Sequence, residues 1–238
     1  MRFYRNQHIE ELAEQRLFQF EQLVGTPLTP PISIERFTEQ VLGLDFLWDA
    51  IEELPGETIL GALKAKDRLI ILNERRRPLF DEKPGLVRTT IGHEGGHWDL
   101  FIDQATLQHP PLLASDPDDT FVLRSSGIGE VEVIKVLIFF PEGQDLLREI
   151  RSRSDDPHEA RAVNRYAAAV LMPRRLLCEH ALRIDRTQWP NLYGLADQFN
   201  VTISALTVRL QQLGLLYVKD GKLFESQDQA LGQMTFQF

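Results

Sequence analysis

Residues 86–104 read LVRTTIGHEGGHWDLFIDQ, and His93-Glu94-Gly95-Gly96-His97 inside them is an H-E-x-x-H run. On a helix, positions i and i+4 lie on one face, a turn apart. Two imidazoles spaced this way can both reach one metal ion. Glu94 flanks the pair and can act on a water held there, as where two His ligate and the Glu is general base. Ile91, Trp98, Phe101 and Ile102 add an apolar stripe at helical spacing, and Pro84-Gly85 marks an entrance. The spacing predicts a helix over about Leu86 to Gln104. Gly95 and Gly96 should cost it about 1 kcal/mol each relative to Ala. A helix tolerates that where another backbone or a ligand must come close.

Working outward, the chain of 238 residues is long enough for one large or two small domains. Its 43% hydrophobic and 26% charged residues are ordinary for a soluble globular protein. The longest apolar run, Val131 to Phe140, contains Glu132 and Lys135 and is too short for a membrane span. The first residues, Met1 to His8, have no apolar signal-peptide core. A single cysteine, Cys178, rules out an internal disulfide framework and a Cys-rich zinc site, and it fits a reducing cytoplasm. The net charge of −9 argues against a broad nucleic-acid surface while leaving room for a local basic patch.

The pattern predicts a helix over His8 to Val24, a break at Thr26 to Pro31, and a helix over Ile34 to Leu42 capped by Ser33. Leu44 to Leu54 is ambiguous. Thr58 to Leu63 and Arg68 to Asn73 read as an antiparallel hairpin, and Arg75-Arg76-Arg77 as a solvated loop. His109 to Asp119 reads as loop, Val131 to Phe140 as a buried strand or helix, and Asp145 to Arg153 as helix. Asp155-Asp156-Pro157 opens a helix from His158 to Met172, and Arg174 to Leu182 follows Pro173. Near the C-terminus, a short helix is expected over Leu192 to Phe199, and Val201-Thr202-Ile203-Ser204 caps a second over Ala205 to Leu213 that Gly214 ends. A hairpin then turns at Asp220-Gly221. Helix, turn, helix, hairpin is the winged-helix order.

Three segments resemble the ImmA/IrrE metallopeptidase family. Arg88 to His97 is similar to its R-F-T-x-A-H-E-x-G-H segment. Asn164 to Pro173 is similar to the end of E-x-x-A-N-x-F-A-x-x-L-L-M-P. Leu195 to Leu216 is similar to the helical stretch that follows. The resemblance implies a cytoplasmic zinc endopeptidase of bacteria, phages or mobile elements. Such proteins cleave a helix-turn-helix transcriptional repressor and so release mobile-element or stress-response genes. Carried over, His93 and His97 are zinc ligands and Glu94 is the base. A catalytic zinc needs a third protein ligand beside an open position. In this family a Glu four before the Asn supplies it, and that position is Ala160 here. Glu159 stands one residue out, about 100° around a helix. Glu159 is the expected third ligand if a bulge or early helix start turns it inward; Asp156, Asp155 and Glu130 are the alternatives. Gly95 replaces a commonly larger apolar residue, and the segment before the second motif is longer than usual.

Asn164 is expected to orient a ligand His, His158 to be an exposed first-turn residue, and Tyr166 to pack in the core. His109 reads as a loop residue and Cys178 as a small buried one. The expected fold class is α+β: a mostly helical metallopeptidase domain with a small antiparallel sheet, plus a C-terminal winged-helix-like module. The expected division is an N-terminal helical extension (1–30), the HExxH domain (31–183, with an insertion at about 105–155) and the C-terminal module (184–238). Zn2+ is the expected cofactor and a DNA-binding repressor the expected protein substrate. An edge strand of the 58–73 hairpin can hold that substrate as an added strand. Two other readings remain: a regulatory binding protein with a degenerate metal site, and a DNA-binding regulator acting through residues 192–224. Arg209, Lys219 and Lys222 face Asp197, Asp220 and Glu225 in that segment, so direct nucleic-acid binding is expected to be weak.

Overall fold

The computed structural model describes residues 4–53, 58–104, 107 and 157–231. Among them the chain is α+β, with helices around a small sheet. The segments predicted at Val131 to Phe140 and Asp145 to Arg153, and residues His109, Glu130, Asp155 and Asp156, lie outside the described residues.

Helix α1 (Asn6–Val24) buries Ile9, Ala13, Leu17 and Phe20, a stripe at spacings of three and four. Gly25 ends it in the left-handed region at φ 74°, donating its N–H to the Glu21 carbonyl. Helix α2 (Ile34–Phe37) runs into a wider π-helical turn (Thr38–Leu42) that Gly43 closes. Ser33 precedes α2 as predicted, but its side chain makes no capping bond.

The ambiguous segment resolves into strand β1 (Asp45–Asp49). Strands β2 (Gly61–Lys64) and β3 (Leu69–Asn73) form the predicted hairpin, with Gly61 opposite Leu72. The sheet order is β1-β3-β2, and β1 pairs with β3 in parallel, Asp45 opposite Leu69. The sheet is therefore mixed, which corrects the expectation of an antiparallel one. Pairing direction across a long connection is set by where the chain returns, and no local pattern encodes that. β3 carries the apolar run Leu69 to Leu72 because it is the central strand, covered on both sides. At its end the buried Asn73 closes the sheet. Its Oδ1 accepts from the backbone N–H of Ile51 and Arg75, and its Nδ2 donates to the Ile59 carbonyl.

The basic run at 75–77 is solvated at Arg75 and Arg77 as expected, but it is not a loop. It forms a short 3-10 turn (Glu74–Arg76) leading into α3 (Arg77–Glu82). Arg76 pairs with Glu53, and the Arg77 guanidinium lies 4.5 Å from the centre of the Trp48 ring. Each cation has an aromatic or carboxylate neighbour that the charge run alone does not reveal.

Helix α4 (Pro84–Phe101) carries the H-E-x-x-H run and packs on α5 (Pro157–Leu171), which also packs on α1. After α6 (Arg174–Ala181) come α7 (Trp189–Phe199) and α8 (Ile203–Gln212), then the hairpin β4 (Tyr217–Lys219) and β5 (Lys222–Phe224), and α9 (Gln227–Leu231). Thr202 caps α8 by accepting the Ala205 N–H, and Asp220 and Gly221 both take positive φ in the hairpin turn, as predicted. One continuous apolar core runs from Ile9 of α1 through Leu63, Trp98, Val170 and Leu206 to Leu223. No described helix is long and apolar enough to cross a membrane.

Candidate functional site

The α4–α5 crossing builds the site. Gly92 and Gly96, four apart, turn their bare faces to α5. A Cβ on Gly92 would lie 3.2 Å from Ala167, and one on Gly96 would lie 3.2 Å from the Val163 backbone. Two helices approach this closely only where side chains are missing. The helix-propensity cost of these glycines is thus offset by packing, and the close approach brings α5 polar side chains onto the adjacent imidazoles. Gly95 instead meets Leu42 of the π-helical turn, 3.0 Å from its would-be Cβ. A larger residue there would need that leucine to move.

His93, Glu94 and His97 are each at most 1% exposed. The two rings face each other through their Nε2 atoms, 3.1 Å apart. Their other nitrogens point outward to α5. His93 Nδ1 is 2.8 Å from Asn164 Oδ1, and His97 Nδ1 is 3.2 Å from a Glu159 carboxylate oxygen. Both partners are acceptors, so each Nδ1 is the donating N–H. That leaves Nε2 of each ring directed at the other, a gap that a proton or a cation can bridge. A proton on His93 is disfavoured: burial, then the neighbouring His97, push it down to about 3, against the raising pull of the Asn164 bond. Neutral imidazole with Nδ1–H held and Nε2 free is the ligating form.

Glu94 lies on the sheet side. A Cβ on Gly61 would come within 3.7 Å of Glu94 Oε1 and only 2.8 Å from Thr90. Gly61 is the first residue of β2, an outer strand of the sheet. Its missing side chain lets α4 lie against that strand and sets the Glu94 carboxylate beside it.

The His pair fits two ligands of one metal ion, and Asn164 lies against His93 Nδ1, where it can hold that ring. Glu159 reaches the site, but at His97 Nδ1, on the far side of the ring from the converging Nε2 atoms. Among the described residues no group of three or more His, Cys, Asp or Glu is arranged to hold a metal. His158 is exposed at the start of α5, as expected. Tyr166 is buried and donates its hydroxyl to Asp99 at 2.8 Å, so its proton is committed to the core. Burial and the Asp99 charge hold its ionisation well above the ordinary range. Cys178 is half-buried.

Asp99 is the residue that sequence reasoning missed. Two positions after His97, its carboxylate takes the Tyr166 hydroxyl and a two-pronged Arg16 guanidinium, at 2.6 Å from Nη2. It ties α4, α5 and α1 together beside the site. The available signal was Tyr166, at a position where the resembled family carries Phe: a buried hydroxyl needs an acceptor.

Neither models of known protein families nor curated proteins match this chain. Its chemistry is therefore read from its own geometry.

Proposed function

We propose that this protein is a zinc-dependent endopeptidase of the ImmA/IrrE-like type, with a DNA-binding repressor as the class of protein substrate. The observation that carries the reading is the His93–His97 pair: two imidazoles, each held at Nδ1 from α5, bring their Nε2 atoms within 3.1 Å of each other. When bound, zinc would supply Lewis-acid activation of water and of a peptide carbonyl. Glu94 accepts the proton of the attacking water and delivers it to the amide nitrogen that leaves. Burial of Glu94 keeps bulk water from competing for that proton. β2 supports the substrate side of the reading. A peptide paired to this outer strand as a further strand runs past Gly61, next to the Glu94 carboxylate. On this reading the C-terminal helices and hairpin are a winged-helix-like module that packs or meets protein.

The binding-protein reading draws on one specific observation, the placing of Glu159 at Nδ1 of His97, which leaves its third-ligand role unsupported. The DNA-regulator reading is weakened by α8. Its Arg209 is fully buried, bonded to Glu10 and to the Met172 carbonyl, and so is withdrawn from any phosphate.

Elemental analysis of tag-free protein tests the proposal. Wild type is expected to carry about one zinc per chain, and His93→Ala/His97→Ala none. Equal metal in both proteins sinks it.

A further inference from the structure

We propose that Glu159 is a positioning residue and not a metal ligand. It fixes His97 through Nδ1–H as Asn164 fixes His93. This rests on the zinc reading above and, among the described residues, leaves His93 and His97 as the ligands of that site.

The two nitrogens of an imidazole point away from each other. A carboxylate oxygen 3.2 Å from His97 Nδ1 lies across the ring from an ion bound at Nε2. It is far outside the ~2 Å of a zinc–oxygen bond. The register of α5 explains the placement. Asn164 faces His93, and the position four residues earlier on the same face is Ala160, not Glu159. Glu159 is turned about 100° from that face.

α5 is a regular helix from Pro157 onward, with no bulge to change this phase. Its rotation is fixed by packing: Val163 sits against Gly96 and Ala167 against Gly92 at contact distances that leave no slack. Rolling Glu159 inward would drive the larger neighbouring side chains into those glycines. Within the described helix, a bulge is thus excluded as a route to a ligating Glu159.

The arrangement has a chemical consequence. His93 is held by a neutral amide and His97 by a carboxylate whose side chain is 32% exposed. A carboxylate partner makes His97 the stronger donor of the two imidazoles. Amide and carboxylate are interchangeable as acceptors for Nδ1–H, but not as zinc ligands. That difference is the basis of the test.

Glu159→Gln and Glu159→Ala are each loaded with Co2+ and with Zn2+, and metal retention is read by chelator competition. Gln is expected to keep affinity within about 10-fold of wild type, with an unchanged Co2+ absorption band. Ala is expected to lose about 10- to 100-fold. Nitrogen-15 spectra of metal-free wild type and of Gln are expected to place the His97 proton on Nδ1. Equal loss of metal in Gln and Ala, with a changed cobalt band, makes Glu159 a ligand and overturns the proposal while the zinc reading stands. A His97 proton on Nε2 overturns it as well. Wild type that binds neither metal refutes the zinc reading itself.

Discussion

Two clusters of buried and half-buried polar side chains are held by α5, and they are built on opposite rules. At the α1 side, Glu10 accepts from Arg209 through both oxygens and from Arg165, and Arg209 also donates to the Met172 carbonyl. Opposite charges meet, and the hydrogen-bonding groups find complements. At the α4 side, His93 and His97 turn like faces toward each other, with Glu94 buried next to them. The first cluster is complementary and locks the C-terminal helices to α1. In the second, the Nε2 atoms of the two imidazoles face each other 3.1 Å apart. Burying polar groups is costly unless they are matched. The metal site proposed above rests on the facing Nε2 atoms of the second cluster.

The contrast is broken most severely at Glu94. Glu94→Gln keeps size and burial but removes the proton acceptor. Peptide cleavage is expected to fall by about 10^2- to 10^4-fold, while zinc content is retained. Thermal stability is expected to stay level or rise, because a buried carboxylate becomes a neutral amide. Cleavage assays, metal analysis and calorimetry on one preparation check this. A fall in stability with activity intact would make Glu94 structural and erase the distinction.

Arg209→Met probes the matched cluster and should do the reverse. It leaves Glu10 with Arg165 alone, and a loss on the order of 3 kcal/mol is expected. The pH dependence sharpens the test. Burial raises Glu10, but the Arg209 bond and charge, with help from Arg165, outweigh this and hold it below the ordinary carboxylate value. A depressed carboxylate contributes stability that is fully present above its unfolded value. That stability is lost as pH falls through the folded value. Wild type should therefore weaken from about pH 5 downward, and Arg209→Met should show a shallower acid slope. Denaturant titrations of both proteins at neutral and acid pH measure it, and parallel slopes would refute the assignment.

The smallest effect is expected at the crossing itself. Gly96→Ala gains about 1 kcal/mol of helix propensity. It also presses a methyl onto Val163 at 3.2 Å, where overpacking costs about 1–3 kcal/mol. A net loss of roughly 1 kcal/mol is expected, with weaker metal binding as α5 shifts and its two acceptors move off the imidazoles. A variant that is more stable than wild type and binds metal equally would show that the close approach does not position the site.

The sequence by itself determined the helix that carries the H-E-x-x-H run, because the i, i+4 spacing and the apolar stripe of Ile91 and Trp98 are local. It also determined the 61–73 hairpin, the Asp220-Gly221 turn and the Thr202 cap, where backbone preference acts within a few residues. Asn164 was legible as a neighbour of the H-E-x-x-H imidazoles, because the resemblance places it there, and it does meet His93. Only the tertiary structure decided that β1 joins β3 in parallel, that Arg76 and Arg77 meet Glu53 and Trp48, and that Asp99 gathers Arg16 and Tyr166. It also decided which nitrogen of His97 Glu159 reaches. These depend on the rotation and approach of whole helices and strands. A one-residue phase difference on α5 turns a side chain by about 100°. What fixes that phase is the fit of Val163 and Ala167 against two glycines some 70 residues away in the chain.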